Sequence, residues 1–214
     1  MRGSGRIVSR EFDLSGFTAI DAARFDIEVA QSDAFRVSVR ADDNVIDRLI
    51  VRTSGGTLLL HTRPFHWLTG RLTLEATIHM PSLTAITLCS SATAGLRSFG
   101  GIDRLDLELS GASDLRGRVD AATVDIVANG ASRVSLAGSA GRVTIEASGA
   151  SKVGLEKLAT GTAAVELSGA SRATLNVADT IESVEASGAS RLRYAGDPTI
   201  GYLETSGASR VARV

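Results

Sequence analysis

Five basic residues keep one beat through the second half of this sequence. Arg133, Lys152, Arg172, Arg191 and Arg210 each follow a Ser-Gly-Ala-Ser quartet or its close variant. Cations on a regular step suit repeated carboxylates or phosphates of an extended anion such as an acidic polysaccharide, which arginine grips through forked hydrogen bonds. The same position after the two earlier copies holds Ala94 and Asp114. Acids keep the beat too: two residues ahead of the quartets stand Glu108, Val127, Glu146, Glu166, Glu185 and Glu204. The plainer reading of the basic column is a solvated face, relieved by those glutamates around the corner and screened by salt. Charge runs taken alone favour that plainer reading.

The quartets offer serine nucleophiles, but in the wrong setting. There is no G-x-S-x-G elbow and no strand-to-helix context, and seven equivalent serines cannot each own a base. Their spacing carries more information. The copies begin at Ser90 (as "SSAT"), Ser110, Asn129, Ser148, Ser168, Ser187 and Ser206, at steps of 20, 19, 19, 20, 19 and 19. A period near twenty is that of a solenoid, each coil supplying one supersecondary unit. Between quartets the apolar residues alternate with period two, as in "RVTIEASGASKVGL", which marks strands. Stacking the copies puts Leu107, Ile126, Ile145, Val165, Val184 and Leu203 in one inward column, and Leu115, Val134, Val153, Ala173, Leu192 and Val211 in another. The quartet is therefore a corner. Its glycine permits the turn, its alanine is small enough to sit inside, and its serines bond to backbone or to the next coil.

The expected fold is all-β: a single-stranded parallel, right-handed β-helix over residues 1–214. Residues 1–80 form degenerate coils or an atypical β cap, and residues 81–214 form the regular coils. "RFDIEVAQSDAFRVSVRA" gives two alternating runs about Gln31-Ser32-Asp33. "LIVRTSGGTLLLHTR" gives two more about Gly55-Gly56, where a tight turn makes a hairpin. Asp42 or Asp43 is placed to open one short helical turn within residues 41–51.

Composition sets the bounds. With 43% hydrophobic residues, 22 glycines, 3 prolines and 4% aromatics, a layered core of small and branched side chains is expected. A net charge of −1 argues against a nucleic-acid wrapper. Cys89, the single cysteine, rules out an internal disulfide and falls in an inward phase, as a buried, inert thiol. No apolar run is long enough for a membrane span, and "MRGSGRIVSREF" lacks an apolar signal core, which fits a sequence without an export signal and one trimmed of it equally.

The few aromatics concentrate at Phe65, His66 and Trp67. There they make either a recognition patch for a sugar or partner, or, as preferred here, a plug beside the cap. His61, His66 and His79 lack metal-ligand spacing, and no calcium repeat or nucleotide fingerprint is present, so no cofactor is expected. "SGASRVARV" leaves an apolar, strand-edged last coil, which invites end-to-end or side-by-side pairing with another copy.

Three stretches, "GSGRIVSREFDLSGFTAIDAARFDIEVAQ" (Gly3 to Gln31), "VSVRADDNVIDRLIVRTSGGTLLLHTR" (Val37 to Arg63) and "MPSLTAITLCSSATA" (Met80 to Ala94), precede the coils. Together with the coils they resemble a bacterial family, the head GIN domain of auto-transporter adhesins. That resemblance implies a β-helical fold and a cell-envelope or surface setting behind an export signal or lipid anchor, and it brings no catalytic residues. The expected function is a non-enzymatic, envelope- or surface-associated interaction or adhesion module. A binder of anionic polysaccharide through the basic column is the alternative. A β-helical carbohydrate-active enzyme is third, since acids and bases recur evenly with no position standing out.

Overall fold

The structure, a computed structural model, describes residues 2–63 and 72–214. Among the described residues sixteen strands join in one sheet. In the second half, each coil is nearly one continuous strand: β9 (Thr93–Leu109), β10 (Asp114–Ala128), β11 (Arg133–Ala147), β12 (Lys152–Leu167) and β13 (Arg172–Ala186). The last coils break into β14 (Arg191–Ala195), β15 (Thr199–Thr205) and β16 (Arg210–Arg213). Each coil pairs in parallel with the next, one coil length ahead. This is a β-solenoid. Both apolar columns read from the sequence are in register, through Ile126↔Ile145 and Leu115↔Val134 to Val184↔Leu203 and Leu192↔Val211.

Burial explains the coil's shape. In β11 the buried residues are Val134, Leu136, Ala140, Val143, Ile145 and Ala147, so the inward set skips Gly138 and its phase slips between Ala140 and Val143. A strand whose inward set skips or changes phase must bend, and the skip at Gly138, where φ is +114°, and the phase change after Ala140 supply the coil's remaining turns. The segment after each corner, such as 133–137, lies on a trailing face. The segment before the next corner, such as 142–147, lies on a leading face. Each fully buried Val, Leu or Ile in the inward columns contributes about 1.5–3 kcal/mol, an upper figure before chain entropy is charged against it.

The corner differs from expectation in one respect. The alanines Ala131, Ala150, Ala170 and Ala189 are exposed, and the fourth residue turns inward: Ser113, Ser132, Ser151, Ser171 and Ser190 are all buried. Glycine adopts positive φ (+73° at Gly149), which swings the following alanine out and returns the serine to the inward phase. At Ser113, Ser132, Ser151 and Ser171 the buried hydroxyl is satisfied locally, as Ser151 Oγ donates to the Ser148 carbonyl at 2.9 Å. Successive glycines also touch. A Cβ on Gly149 would lie 2.5 Å from the Gly130 carbonyl oxygen, the acceptor for the Ala150 amide at 2.7 Å.

The first corner is displaced by one residue. Ser110 N donates to the Leu88 carbonyl and Asp114 pairs with Thr93, so the structural quartet is Cys89-Ser90-Ser91-Ala92, not "SSAT". Ser90 occupies the glycine position with φ +56°. Cys89 takes the leading-serine place and is half-buried, which corrects the expectation of a buried inward thiol.

The first half is threaded out of order. Its strands are β1 (Ile7–Phe12), β2 (Ala19–Ala23), β3 (Asp26–Gln31), β4 (Arg36–Asp42), β5 (Leu49–Ser54), β6 (Thr57–Thr62), β7 (Leu74–Met80) and β8 (Ala85–Cys89). The β2/β3 coil lies between β6/β7 on one side and β8/β9 on the other. Antiparallel β4 and β5 then cover β7 and β6, and β1 covers β4, closing this end of the stack. The hairpin about Gly55-Gly56 is present as read. Between β4 and β5 one 3₁₀ turn, Ile46–Arg48, tucks in Val45 and Ile46. No aspartate caps it. Asp42 is buried and accepts instead from the Gly5 amide (2.8 Å) and the Thr73 amide (3.0 Å), tying two loops to the cap.

Candidate functional site

Parallel stacking turns the sequence beat into a physical column. Arg133, Lys152, Arg172, Arg191 and Arg210 are hydrogen-bonded neighbours in successive coils, all exposed. At about 4.8 Å per coil the column spans about 19 Å. Its lower members are Asp114, Thr93, Asp26 and Glu75, so Thr93 stands where the sequence suggested Ala94. The column is thus acidic or neutral near the cap and basic beyond it.

The members differ in what they already hold. Arg133 Nη1 lies 3.3 Å from Asp114 Oδ2, and Asp114 also takes Arg116 Nε at 2.7 Å. That second contact raises the Arg116 pKa above its ordinary value, first by the hydrogen bond and then by Coulomb attraction. Among the described residues, Lys152, Arg172, Arg191 and Arg210 have no carboxylate within 4.0 Å. The glutamates assumed to relieve them stand on the other side of the corner and do not reach. Beside the cations runs a second outward column, Ser135, Gly154, Thr174 and Arg193. Small Ser135, Gly154 and Thr174 there, with the Glu156 carboxylate folded over Gly154, and exposed Gly-Ala corners on the other flank leave the cations as a ridge, which Arg193 widens beside Arg191.

The acids form a matching column on the leading face. Glu146, Glu166, Glu185 and Glu204 are in register, preceded by Val127 and Glu108. Tyr202 donates its hydroxyl to Glu204, and that bond, ahead of the charges of Glu204 and Glu185, raises the tyrosine pKa. This face is hollowed. An open hollow of about 610 Å³ lies over Ala85, Thr87, Asp106, Glu108, Val127 and Glu146. It shares Arg104 and Asp106 with a neighbouring hollow toward Gln31, and Thr144 and Glu146 with the next along the coils. The series continues past Glu166 and Glu185 to Glu204. Arg104 is pinned here by Asp106 (2.8 Å) and Asp125 (2.9 Å), which raise its pKa. The glutamate beat marked this face in the sequence but not its hollow, and Arg104, standing two positions before Asp106, went unread.

Other candidates fare differently. Phe65, His66 and Trp67 lie outside the described residues. His61 Nε2 sits 2.9 Å from Asp21 Oδ1, close enough to pair when protonated but not aligned as a hydrogen bond. Among the described residues no three His, Cys, Asp or Glu side chains converge as a metal site, and no helix is long and apolar enough to cross a membrane. At the last coil, Leu203 is 50% exposed although its column mates are buried, and Val211 is half-buried.

Fold and columns define a class: a capped parallel β-solenoid with opposite charges displayed on two faces. The profile of the family described as putative auto-transporter adhesin, head GIN domain, matches residues 16–198, and the chain belongs to that family. Similar solved structures include a putative adhesin from Bacteroides fragilis (21% identity, all of both chains, TM-score 0.90). A putative lipid binding protein from Parabacteroides distasonis is also similar (18% identity, 100% of this chain and 99% of that one, TM-score 0.80). So is a putative adhesin from Parabacteroides merdae (15% identity, 100% and 98%, TM-score 0.76). At these identities the likeness is one of fold. A search of curated proteins finds no match.

Proposed function

We propose that this chain is a non-enzymatic interaction module of the cell envelope or surface that holds an extended anionic polymer along its basic ridge. One observation carries the reading: four in-register cations, Lys152, Arg172, Arg191 and Arg210, stand exposed with no carboxylate within 4.0 Å among the described residues. A column of like charges is a cost in the free protein, and a linear polyanion removes it by meeting one cation per coil. The glutamates were the natural alternative neutraliser, and the corner keeps them away. Membership of an adhesin-described family supports an extracytoplasmic, adhesive setting.

Binding of a soluble polyuronate to the chain, followed by calorimetry at rising salt, tests the proposal. Affinity falls steeply with salt and is lost in a Lys152→Ala/Arg172→Ala/Arg191→Ala variant. Equal binding by wild type and variant removes the ridge from the account. Turnover of the glycan, abolished by changing one carboxylate, would instead make the protein an enzyme.

A further inference from the structure

The molecule carries a ridge and a groove of opposite charge that share one period. Both are built from the same coils, so the step from Lys152 to Arg172 to Arg191 to Arg210 equals the step from Glu146 to Glu166 to Glu185 to Glu204. Each run crosses about 14 Å at about 4.8 Å per coil. Lys152 and Arg172 stand beside small Gly154 and Thr174, with Glu156 folded over Gly154 and Arg193 adding a further cation beside Arg191, and the glutamates line a succession of hollows. Within one molecule the two cannot meet, because the corner turns them onto different faces. No carboxylate of the leading face lies within 4.0 Å of these four cations among the described residues.

We propose that the leading-face groove is an interaction surface for a second copy of this chain, which lays its basic ridge along the glutamate column with the two solenoid axes parallel. Matching period makes one pairing satisfy every coil at once, which an arbitrary basic partner does not offer. Sliding one copy by a single coil keeps the charges opposed, so the contact tolerates slippage. The contact is heterologous: each copy presents one ridge and one groove, and copies join side by side into rings or open rows. Exposed ion pairs are individually weak and screened. The association therefore appears at low salt and high protein concentration, or where copies are crowded on a surface.

This inference uses the cations of the polyanion reading but does not depend on it. Sedimentation velocity at low and high salt tests it with three proteins: wild type, Arg172→Glu/Arg191→Glu and Glu166→Arg/Glu185→Arg. All four changed positions are exposed, and circular dichroism verifies that the variants keep the fold. Wild type self-associates at low salt and dissociates at high salt. Each variant alone is weakened by more than about tenfold, because like charges now face each other. An equimolar mixture of the two variants recovers association, since the intact ridge of one meets the intact groove of the other. Wild type that stays monomeric at low salt overturns the proposal, as do variants that associate like wild type or a mixture that fails to recover. The glutamate variant retains polyuronate binding, so loss of assembly and loss of the polyanion reading are read separately.

Discussion

Replacing Gly149 with alanine probes what holds successive coils at their spacing. The residue has φ +73°, and a Cβ placed on it would lie 2.5 Å from the Gly130 carbonyl oxygen. Left-handed backbone costs a residue with a Cβ about 1–2 kcal/mol. The close approach adds a second penalty, because the coils must part there and the Ala150 amide loses its 2.7 Å bond to that same oxygen. A hydrogen bond of this kind contributes about 0.5–1.5 kcal/mol, so Gly149→Ala costs about 1.5–3.5 kcal/mol in all. For a chain of this size that lowers the thermal midpoint by about 3–14 °C. Gly111→Ala is the internal control. Its φ is +74°, but the nearest atom to its Cβ is the Ser90 nitrogen at 3.4 Å, an ordinary contact. Only the backbone cost applies there, about 1–2 kcal/mol. Thermal and urea unfolding followed by circular dichroism compare the two variants. If Gly149→Ala proved no more damaging than Gly111→Ala, carbonyl contact between coils would not be what demands glycine.

Ser171→Ala costs about 1 kcal/mol in urea unfolding, since the buried hydroxyl shares its one proton between the carbonyls of Ser168 (2.6 Å) and Ala147 (3.0 Å). Ser190→Ala is neutral or stabilising, because its buried Oγ has no hydrogen-bond partner among the described residues. Ser90→Gly raises stability by up to about 1 kcal/mol, as relief of its φ of +56° exceeds the added chain entropy. Asp42 has its pKa lowered from 3.8 by the amides of Thr73 and then Gly5. A folded-state pKa below the unfolded one makes this carboxylate stabilising above about pH 4, with the contribution lost as pH falls through the folded value. Asp42→Asn therefore flattens the acid side of the stability profile, read from urea midpoints across pH.

The coils were legible because a parallel solenoid converts sequence period directly into spatial register. Aligning the quartets was enough to place Ile145 beside Ile126 and Arg172 beside Lys152. The method slipped where the period did. The step from the Cys89 corner to the Ser110 corner is longer than the others, so matching the letters "SSAT" misassigned Cys89 and Ala94. Alternation also misled at the corner itself, where positive φ at glycine resets the phase and exchanges the places of alanine and serine. The first half resisted for a topological reason. The β2/β3 coil is flanked by coils that come later in the chain, and no local pattern records which strand is inserted between which. At the candidate site, the cation column was visible as a beat. Whether glutamates neutralise it, and whether the opposite face is hollow, depends on how sharply the corner turns.

Single alanine substitutions along the ridge, each titrated with the same polyuronate at fixed salt, test the functional claim most directly. Lys152→Ala, Arg172→Ala, Arg191→Ala and Arg210→Ala each weaken binding, and Arg133→Ala weakens it least because Asp114 already holds that guanidinium. A flat profile across the five positions, or a largest loss at Arg133, would contradict the account.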